Sequence, residues 1–328
     1  MSQFQLFAVE DAGPRPLLVP PDAAQFTDLY RGLPLGVYDA LRTFDHNKFL
    51  YLSRHLARTE RSMALMGWTY PLDRARLLRA LHGIVTGAEW PEMRVRYDVL
   101  AAPAEALGTA SRELIAIQPF TPPPPELYET GVAVDFAEGL HRDNPLAKTA
   151  DFAAQRPVSA GLAQLEDTRY EIRDRTAGDG LRTTDDRPQT AGDEFPDSSL
   201  VTRHSSRIPY EYLLLDDRNR ILEGTGTNFW AVREGVVYTA GEGVLEGVTR
   251  EILLKIIPDL GFPVRLETVG ADEIDTLDEA ALSGSSRALL PVVEIAGQPV
   301  GDGRVGPTTR RILAAYNAFV EENIRTAV

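Results

Sequence analysis

Cysteine is absent from the sequence, which excludes disulfide bonds and thiolate metal sites. The five histidines lie far apart, without the spacing of metal ligands. No apolar run reaches the roughly 18 residues of a membrane-spanning helix. The first residues also lack the basic and apolar segments of a secretory leader. We therefore expect no metal site and a soluble, cytoplasmic protein.

The charge balance limits the classes of partner. The 48 acidic residues outnumber the 34 basic ones, and the formal net charge is −14. Surfaces that bind nucleic acids or anionic membranes need clustered cations, so we expect neither partner. Any phosphate group that the protein binds must therefore be held by a few local groups.

Lysine is nearly absent: among the 34 basic residues, only Lys48, Lys148 and Lys255 are lysines. Lys48 lies in a predicted hairpin turn, and Lys255 lies in a predicted helix, where its stem would follow the surface. Lys148 lies where an extended segment passes into a helix, among apolar neighbours. A desolvated amine has a lowered pKa and can bond covalently to a carbonyl carbon. An exposed loop lysine remains the alternative at this position.

Interleaved strand-like and helix-like segments predict an α+β fold with two lobes. We place a smaller N-terminal α/β lobe at residues 1–120 and a larger C-terminal mixed α/β lobe at 131–328. Between them, residues 121–130 contain "TPPPPE", a polyproline-prone linker that we expect to join neither sheet nor helix. In the N-terminal lobe we expect Ser53 to cap the first helix.

Residues 166–207 do not fit this alternation. They are dense in Asp, Arg, Thr and Gly and show no sustained apolar period. Such a segment buries too little apolar surface to offset the entropy of ordering it. We expect a flexible surface insertion, with a lid over a site as the alternative.

The segment "ILEGTGTNFWAV" predicts a strand that ends at Glu223, followed by a turn of small and hydroxyl residues. Taken alone, it is also what a tight β-connection looks like. Together with a reactive lysine, a buried carboxylate suggests pyridoxal 5'-phosphate, because the ring nitrogen of this cofactor must stay protonated to withdraw electrons. We assign that role to Glu223.

The phosphate of such a cofactor needs a local cradle. Helix N-termini supply one through free amides and the helix dipole, and "LEGVTRE" places Val248 and Thr249 at a helix start. "LSGSSRALLPV" places Ser285 and Ser286 in a turn after a strand. A helix arginine, from Arg54, Arg58 or Arg61, can add a guanidinium. Each of these features alone is ordinary.

The combination resembles the class IV (fold type IV) pyridoxal-phosphate aminotransferases, a family that includes branched-chain aminotransferases, D-amino acid aminotransferases and aminodeoxychorismate lyases. The resemblance runs from "GVYDALRTF" to "VGPTTRRIL", apart from the insertion. It implies a Schiff base between Lys148 and the cofactor, a bond from Glu223 to the ring nitrogen, and a phosphate contact by Arg58 in "HLAR". It also implies a homodimer with the cofactor between the lobes. The further cofactor contacts that it implies come from Thr227, Asn228, Val248, Thr249, Ser285 and Ser286.

Some residues depart from the family pattern. Phe152 stands where many members carry a tyrosine, and the Arg-x-His pattern of D-amino acid aminotransferases is missing. The separation between Lys148 and Glu223 exceeds the usual one because of the insertion. The resemblance implies that the substrate-side residues are Tyr38, Arg42, Arg94 and Arg96.

The resulting function is exchange of an amino group between an amino acid, or a primary amine, and a 2-oxo acid, with Lys148 as the general base and acid. Two alternatives stay open. One is an aminodeoxychorismate lyase, which shares these groups but releases pyruvate. The other is a cofactor-binding protein without turnover.

Overall fold

The computed structural model describes residues 4–157 and 207–327. The predicted insertion at 166–207 lies outside these ranges, apart from its last residue, so neither a flexible loop nor a lid is described there. No helix in the described ranges is long and apolar enough to cross a membrane.

The N-terminal lobe is one antiparallel sheet covered by two helices. The sheet has five strands in the order β2-β1-β6-β5-β3. The lobe also contains a short strand, β4, which is not part of this sheet. In chain order its elements are β1 Gln5–Glu10, β2 Gly13–Leu17, β3 Gly36–Arg42, β4 Lys48–Leu50, helix α1 Leu52–Leu65, helix α2 Arg74–Gly87, β5 Met93–Leu100 and β6 Glu113–Pro119. The apolar faces of sheet and helices meet in one core around Leu56, Leu81 and Val95.

The C-terminal lobe is built on a large mixed sheet. Its elements are α3 Pro125–Thr130, β7 Val132–Phe136, α4 Ala150–Gln155, β8 Glu211–Leu215, β9 Arg220–Gly224, β10 Asn228–Arg233, β11 Val236–Tyr238, α5 Val248–Asp259, β12 Val264–Arg265, β13 Val269–Gly270, β14 Glu279–Gly284, β15 Ala288–Ile295, β16 Gln298–Pro299, α6 Pro307–Asn323 and β17 Ile324–Thr326. The predicted α+β class and its two lobes are thus present.

Six strands of this sheet close into a ring. The strands β10, β14, β15, β7, β8 and β9 are neighbours in that order, and β9 pairs back to β10 through Glu223 and Asn228. The motif singled out in the sequence therefore lies where the ring closes. At this position the Glu223 side chain lies against Asn228, the first residue of β10.

Two local expectations were wrong. The linker residues from Pro125 onward form α3, because a proline at the first position of a helix loses no hydrogen bond. Ser53 does not cap α1: the residue before this helix is Tyr51, held in a left-handed conformation at φ 49° without a side-chain cap.

Several contacts between the lobes converge on the segment of Lys148. Val37 of β3 forms a bridge with Thr149, and the Tyr38 amide donates to the Lys148 carbonyl oxygen at 3.0 Å. The Lys148 amide in turn donates to the Ser62 hydroxyl at 3.1 Å. The backbone of Lys148 is therefore held by a strand and a helix of the N-terminal lobe.

Candidate active site

Lys148 differs from the other two lysines in its surroundings. Lys48 and Lys255 pair with Asp45 and Glu251 at the surface. Within the described residues, Lys148 makes no ion pair, and its Nζ lies 4.8 Å from the centre of the Tyr38 ring. Burial lowers the pKa of Lys148 to about 8, and the charge of Tyr38 opposes this shift only in part. A larger fraction of this amine is thus neutral near neutral pH than of an exposed lysine.

Glu223 is buried at the end of β9. Its Oε2 accepts hydrogen bonds from Asn228 Nδ2 and from the Leu245 amide, both at 3.1 Å. Its Oε1 has no hydrogen-bond partner among the described residues, although Arg142 Nε lies 3.3 Å away. Burial raises the pKa of Glu223 to about 7, despite the opposing charge of Arg142. One oxygen is therefore held by two hydrogen bonds, and the other faces the Arg142 guanidinium without a hydrogen bond in the described chain.

The turn between β9 and β10 leaves no room for side chains at its glycines. A Cβ on Gly224 would overlap the Thr227 hydroxyl, and one on Gly226 would lie 2.7 Å from Arg156 Nη1. Below the turn, the buried Glu211 carboxylate accepts a hydrogen bond from the Gly226 amide. The Thr227 hydroxyl is buried without a partner among the described residues. The small residues of this motif are thus needed for close packing of polar groups.

Arg58 reaches from the N-terminal lobe to the start of α5. Its Nε and Nη2 form a fork on the buried Asp39 carboxylate at 2.9 and 2.7 Å, and His55 binds the same carboxylate. Arg58 Nη1 donates to the Glu246 carbonyl oxygen at 3.2 Å. Burial would raise the pKa of Asp39, but Arg58 and His55 hold it well below its usual range. The guanidinium is therefore fixed in place beside a helix N-terminus.

The start of α5 offers free amides. Its first residues Val248 and Thr249 are buried, and Gly247 before them makes no side-chain cap. The Thr249 hydroxyl lies 3.5 Å from that of Tyr316. A Cβ on Gly247 would overlap Asn228 Oδ1, the side chain that also binds Glu223. Asn228 therefore couples the carboxylate to the helix start.

The sequence profile described as "Amino-transferase class IV" matches residues 36–159 and 202–295. These residues carry all the groups described so far, apart from Tyr316, and make up most of the chain. The chain belongs to the class IV aminotransferase family. The family resemblance and the fold predicted from the motifs are thereby confirmed.

Curated relatives match this chain over shorter stretches. A D-alanine aminotransferase of Staphylococcus aureus (strain COL) is 34% identical over 105 residues, which are 31% of this chain and 37% of the relative. A branched-chain-amino-acid aminotransferase of Escherichia coli (strain K12) is 35% identical over 129 residues, 38% of this chain and 42% of the relative. The matches thus span about two fifths of these relatives.

Solved structures match over the full length. The chain is similar to a branched-chain aminotransferase from Thermoproteus uzoniensis with norvaline, with a TM-score of 0.66, 20% identity, and 99% of each chain covered. A second one, from Thermotoga maritima, is described as a putative branched-chain amino acid aminotransferase and gives a TM-score of 0.67 at 20% identity over 98% of each chain. At these identities the likeness establishes the fold.

The structure separates the four predicted substrate-side residues. Tyr38 lies against Lys148, and Arg96 stacks between the rings of Tyr30 and Tyr38 at 4.0 and 4.1 Å while pairing with Asp98. Tyr38 thus adjoins the Lys148 amine directly, and Arg96 lies against Tyr38.

The other two predicted arginines are engaged elsewhere in the N-terminal lobe. Arg42 pairs with Glu92 and stacks on Phe44 and Phe120. Arg94 is exposed, 5.3 Å from the Phe26 ring centre. Nothing in these contacts supports a substrate role, which stays a prediction for both arginines.

The turn after β14 carries the remaining predicted phosphate contacts. Ser285 and Ser286 are half-buried in the hairpin that joins β14 to β15. Ser283, two residues before Ser285, pairs with Asn228 across the sheet, so this hairpin lies beside the strand-end motif. The phosphate role of the two serines stays a prediction.

Sequence reasoning missed four charged residues around the site: Asp39, Arg142, Arg156 and Glu211. Asp39 follows the tyrosine in "GVYDALRTF", and a carboxylate within a buried strand is a signal in itself, because it must find a cation. Arg142 and Arg156 flank Lys148 in the sequence but carried no pattern. Their partners are known only from the folded chain.

Proposed function

We propose that this class IV aminotransferase uses pyridoxal 5'-phosphate to exchange an amino group between an amino acid or primary amine and a 2-oxo acid. The observation that carries the proposal is the combination of Lys148 and Glu223. Lys148 is an amine without an ion pair in the described chain, and Glu223 is a nearby buried carboxylate, one oxygen of which has no hydrogen bond there. The names of the curated relatives favour this activity over a lyase or a binding protein without turnover.

The residues present fit the cofactor. Glu223 Oε1 lacks a hydrogen bond and suits a protonated ring nitrogen, while Lys148 suits the cofactor aldehyde. The amides of Val248 and Thr249 and the guanidinium of Arg58 suit a phosphate. The Thr227 hydroxyl, buried and without a partner in the described chain, supplies a further donor.

When bound, the cofactor supplies an electron sink that stabilises negative charge at the substrate α-carbon. The chain supplies the proton transfers. Lys148 Nζ, with a pKa of about 8, can take the α-proton as a base and return it as an acid near neutral pH. Glu223, held by Asn228 and Leu245, keeps a proton at the ring nitrogen. The Tyr38 ring lies 4.8 Å from this amine, and Lys148 as a whole is half-buried.

The proposal is tested on the purified protein by its absorption spectrum and by half-reactions with a panel of L- and D-amino acids and (R)- and (S)-amines. We expect bound cofactor, and amino transfer to it from at least one member of the panel. Release of pyruvate from the chorismate-derived substrate without an amino acceptor would instead identify a lyase. A coloured protein inert to the whole panel would contradict transamination.

The pKa of Lys148 predicts how cofactor uptake depends on pH. Only the neutral amine attacks the aldehyde, so the uptake rate of the cofactor-free protein should rise about tenfold per pH unit below pH 8 and level off above it. Stopped-flow absorbance from about pH 6 to 10 measures this rate. A rate that still rises steeply at the upper end of this range would mean that the amine is not desolvated.

We further propose that the protein is a cytoplasmic homodimer in which the partner chain helps to close the site, as the family resemblance implies. Light scattering after size-exclusion chromatography tests the oligomeric state. A monomer that transfers amino groups at the full rate would contradict the shared site.

A further inference from the structure

Arg156 places a second cation beside Lys148. It follows the last residue of α4 and is half-buried. Its Nη2 donates to the Tyr38 hydroxyl at 3.2 Å, and its Nη1 donates to the Thr225 carbonyl oxygen at 3.4 Å. Among the residues that the structure describes, no carboxylate pairs with Arg156. Its charge is therefore not neutralised by this part of the protein, in contrast to that of Arg58, which pairs with Asp39.

Tyr38 connects this cation to the reactive amine. Its ring faces Lys148 Nζ, and its hydroxyl oxygen accepts from Arg156. Because Arg156 donates to the oxygen, the phenolic hydrogen is left to donate, and the described residues offer it no acceptor. Burial would raise the pKa of Tyr38, but the charges of Arg156, Lys148, Arg96 and Arg142 outweigh burial and bring it to about 7. The positive potential here is thus strong enough to stabilise an anion.

Gly226 makes room for this arrangement. Its φ lies outside the left-handed region, so its backbone conformation does not require glycine. A Cβ at this position would instead lie 2.7 Å from Arg156 Nη1. The missing side chain lets the guanidinium lie between Tyr38 and the turn that follows Glu223. Arg156 is thus built into the wall of the proposed site, although it belongs to no predicted motif.

We infer that Arg156 and Tyr38 together bind a carboxylate of the substrate and select substrates that carry one over simple amines. This inference rests on the proposed function and narrows its substrate class. A guanidinium and a phenol that keeps its proton can each donate to one carboxylate oxygen, and such charge-assisted bonds are strong where water is excluded. An amine without a carboxylate supplies no anion to the Arg156 charge and no acceptor to the phenolic hydrogen of Tyr38.

The test measures equilibrium binding to the cofactor-loaded protein by calorimetry, independently of turnover. The probes are 4-methylvalerate, glutarate and the uncharged 4-methylvaleramide. Arg156→Gln should weaken binding of at least one acid about tenfold or more and leave the amide unchanged. Arg156→Lys should retain part of the affinity, and Arg79→Gln, a matched change on the exposed face of α2, should retain all of it.

The two acids distinguish which carboxylate is bound. A loss shared by both acids means that Arg156 binds the carboxylate common to all substrates, whereas a loss for glutarate alone means that it binds a side-chain carboxylate. Dissociation constants of Arg156→Gln within twofold of the wild type for both acids would overturn the inference. If Arg156→Gln does not fold, Tyr38→Phe takes its place, with an expected loss of about threefold or more for the acids and equality again contradicting the inference.

Failure of the proposed function is distinguishable from failure of the inference. If binding of the acids depends on Arg156 but the protein transfers no amino group, the inference is supported and the aminotransferase activity is rejected. Amino transfer from amino acids with the same KM in the wild type and in Arg156→Gln would instead support the aminotransferase activity and contradict the role of Arg156.

Discussion

Glu223→Gln should fold and bind the cofactor, yet slow the amino-acid half-reaction by at least about a hundredfold. Removing one preorganised electrostatic contact from an enzyme site costs about 10²–10³ in rate. The carbanionic stage depends on the ring proton more than the resting state does, so the loss should appear in catalysis more than in binding. The Gln oxygen can still accept from Asn228 and Leu245, so the variant keeps these two hydrogen bonds.

Single-turnover rates for the wild type and three variants test this expectation. Glu223→Asp should be intermediate, since the acid remains but its reach shortens by one methylene. Glu129→Gln makes the same change of charge at an exposed position and should react like the wild type. If Glu223 only stabilises the turn, Glu223→Gln should react within about threefold of the wild type, and the cofactor role would then be rejected.

Lys148→Ala should lose turnover by at least about a thousandfold, because it removes both the nucleophile and the proton carrier. The fold should survive, since the hydrogen bonds of Lys148 with Tyr38 and Ser62 use its backbone atoms. Added methylamine should restore part of the half-reaction rate as an external base. Lys255→Ala, at an exposed pair on α5, is the matched control. Turnover of Lys148→Ala within tenfold of the wild type would contradict the assignment.

The sequence predicted the parts of the site whose signals are local. Only three lysines compete for one role, and a carboxylate before a turn of small residues marks a strand end, so Lys148 and Glu223 stand out as candidates from the sequence alone. The helix start at Val248 is equally local. In the structure β9 runs one residue past Glu223, Lys148 lies two residues before α4, and Val248 is the first residue of α5.

The rest depends on which elements pack together. Arg42 and Arg96 follow the same strand-like pattern in the sequence, yet one pairs with Glu92 and the other stacks on Tyr38 beside the amine. The role proposed for Arg156 could be inferred only once the position of β3 was known, because β3 brings Tyr38 to the end of α4. No periodicity of the sequence specifies these pairings.

Mass mapping after borohydride reduction tests the central claim most directly. Reduction makes the covalent bond between the cofactor and its lysine permanent, and a modified lysine resists trypsin, as does the bond between Arg156 and Pro157. The account predicts that the cofactor mass is found on the tryptic peptide spanning 143–169, which contains Lys148 and no other lysine. Cofactor mass on a peptide containing Lys48 or Lys255, or on none, would contradict the account.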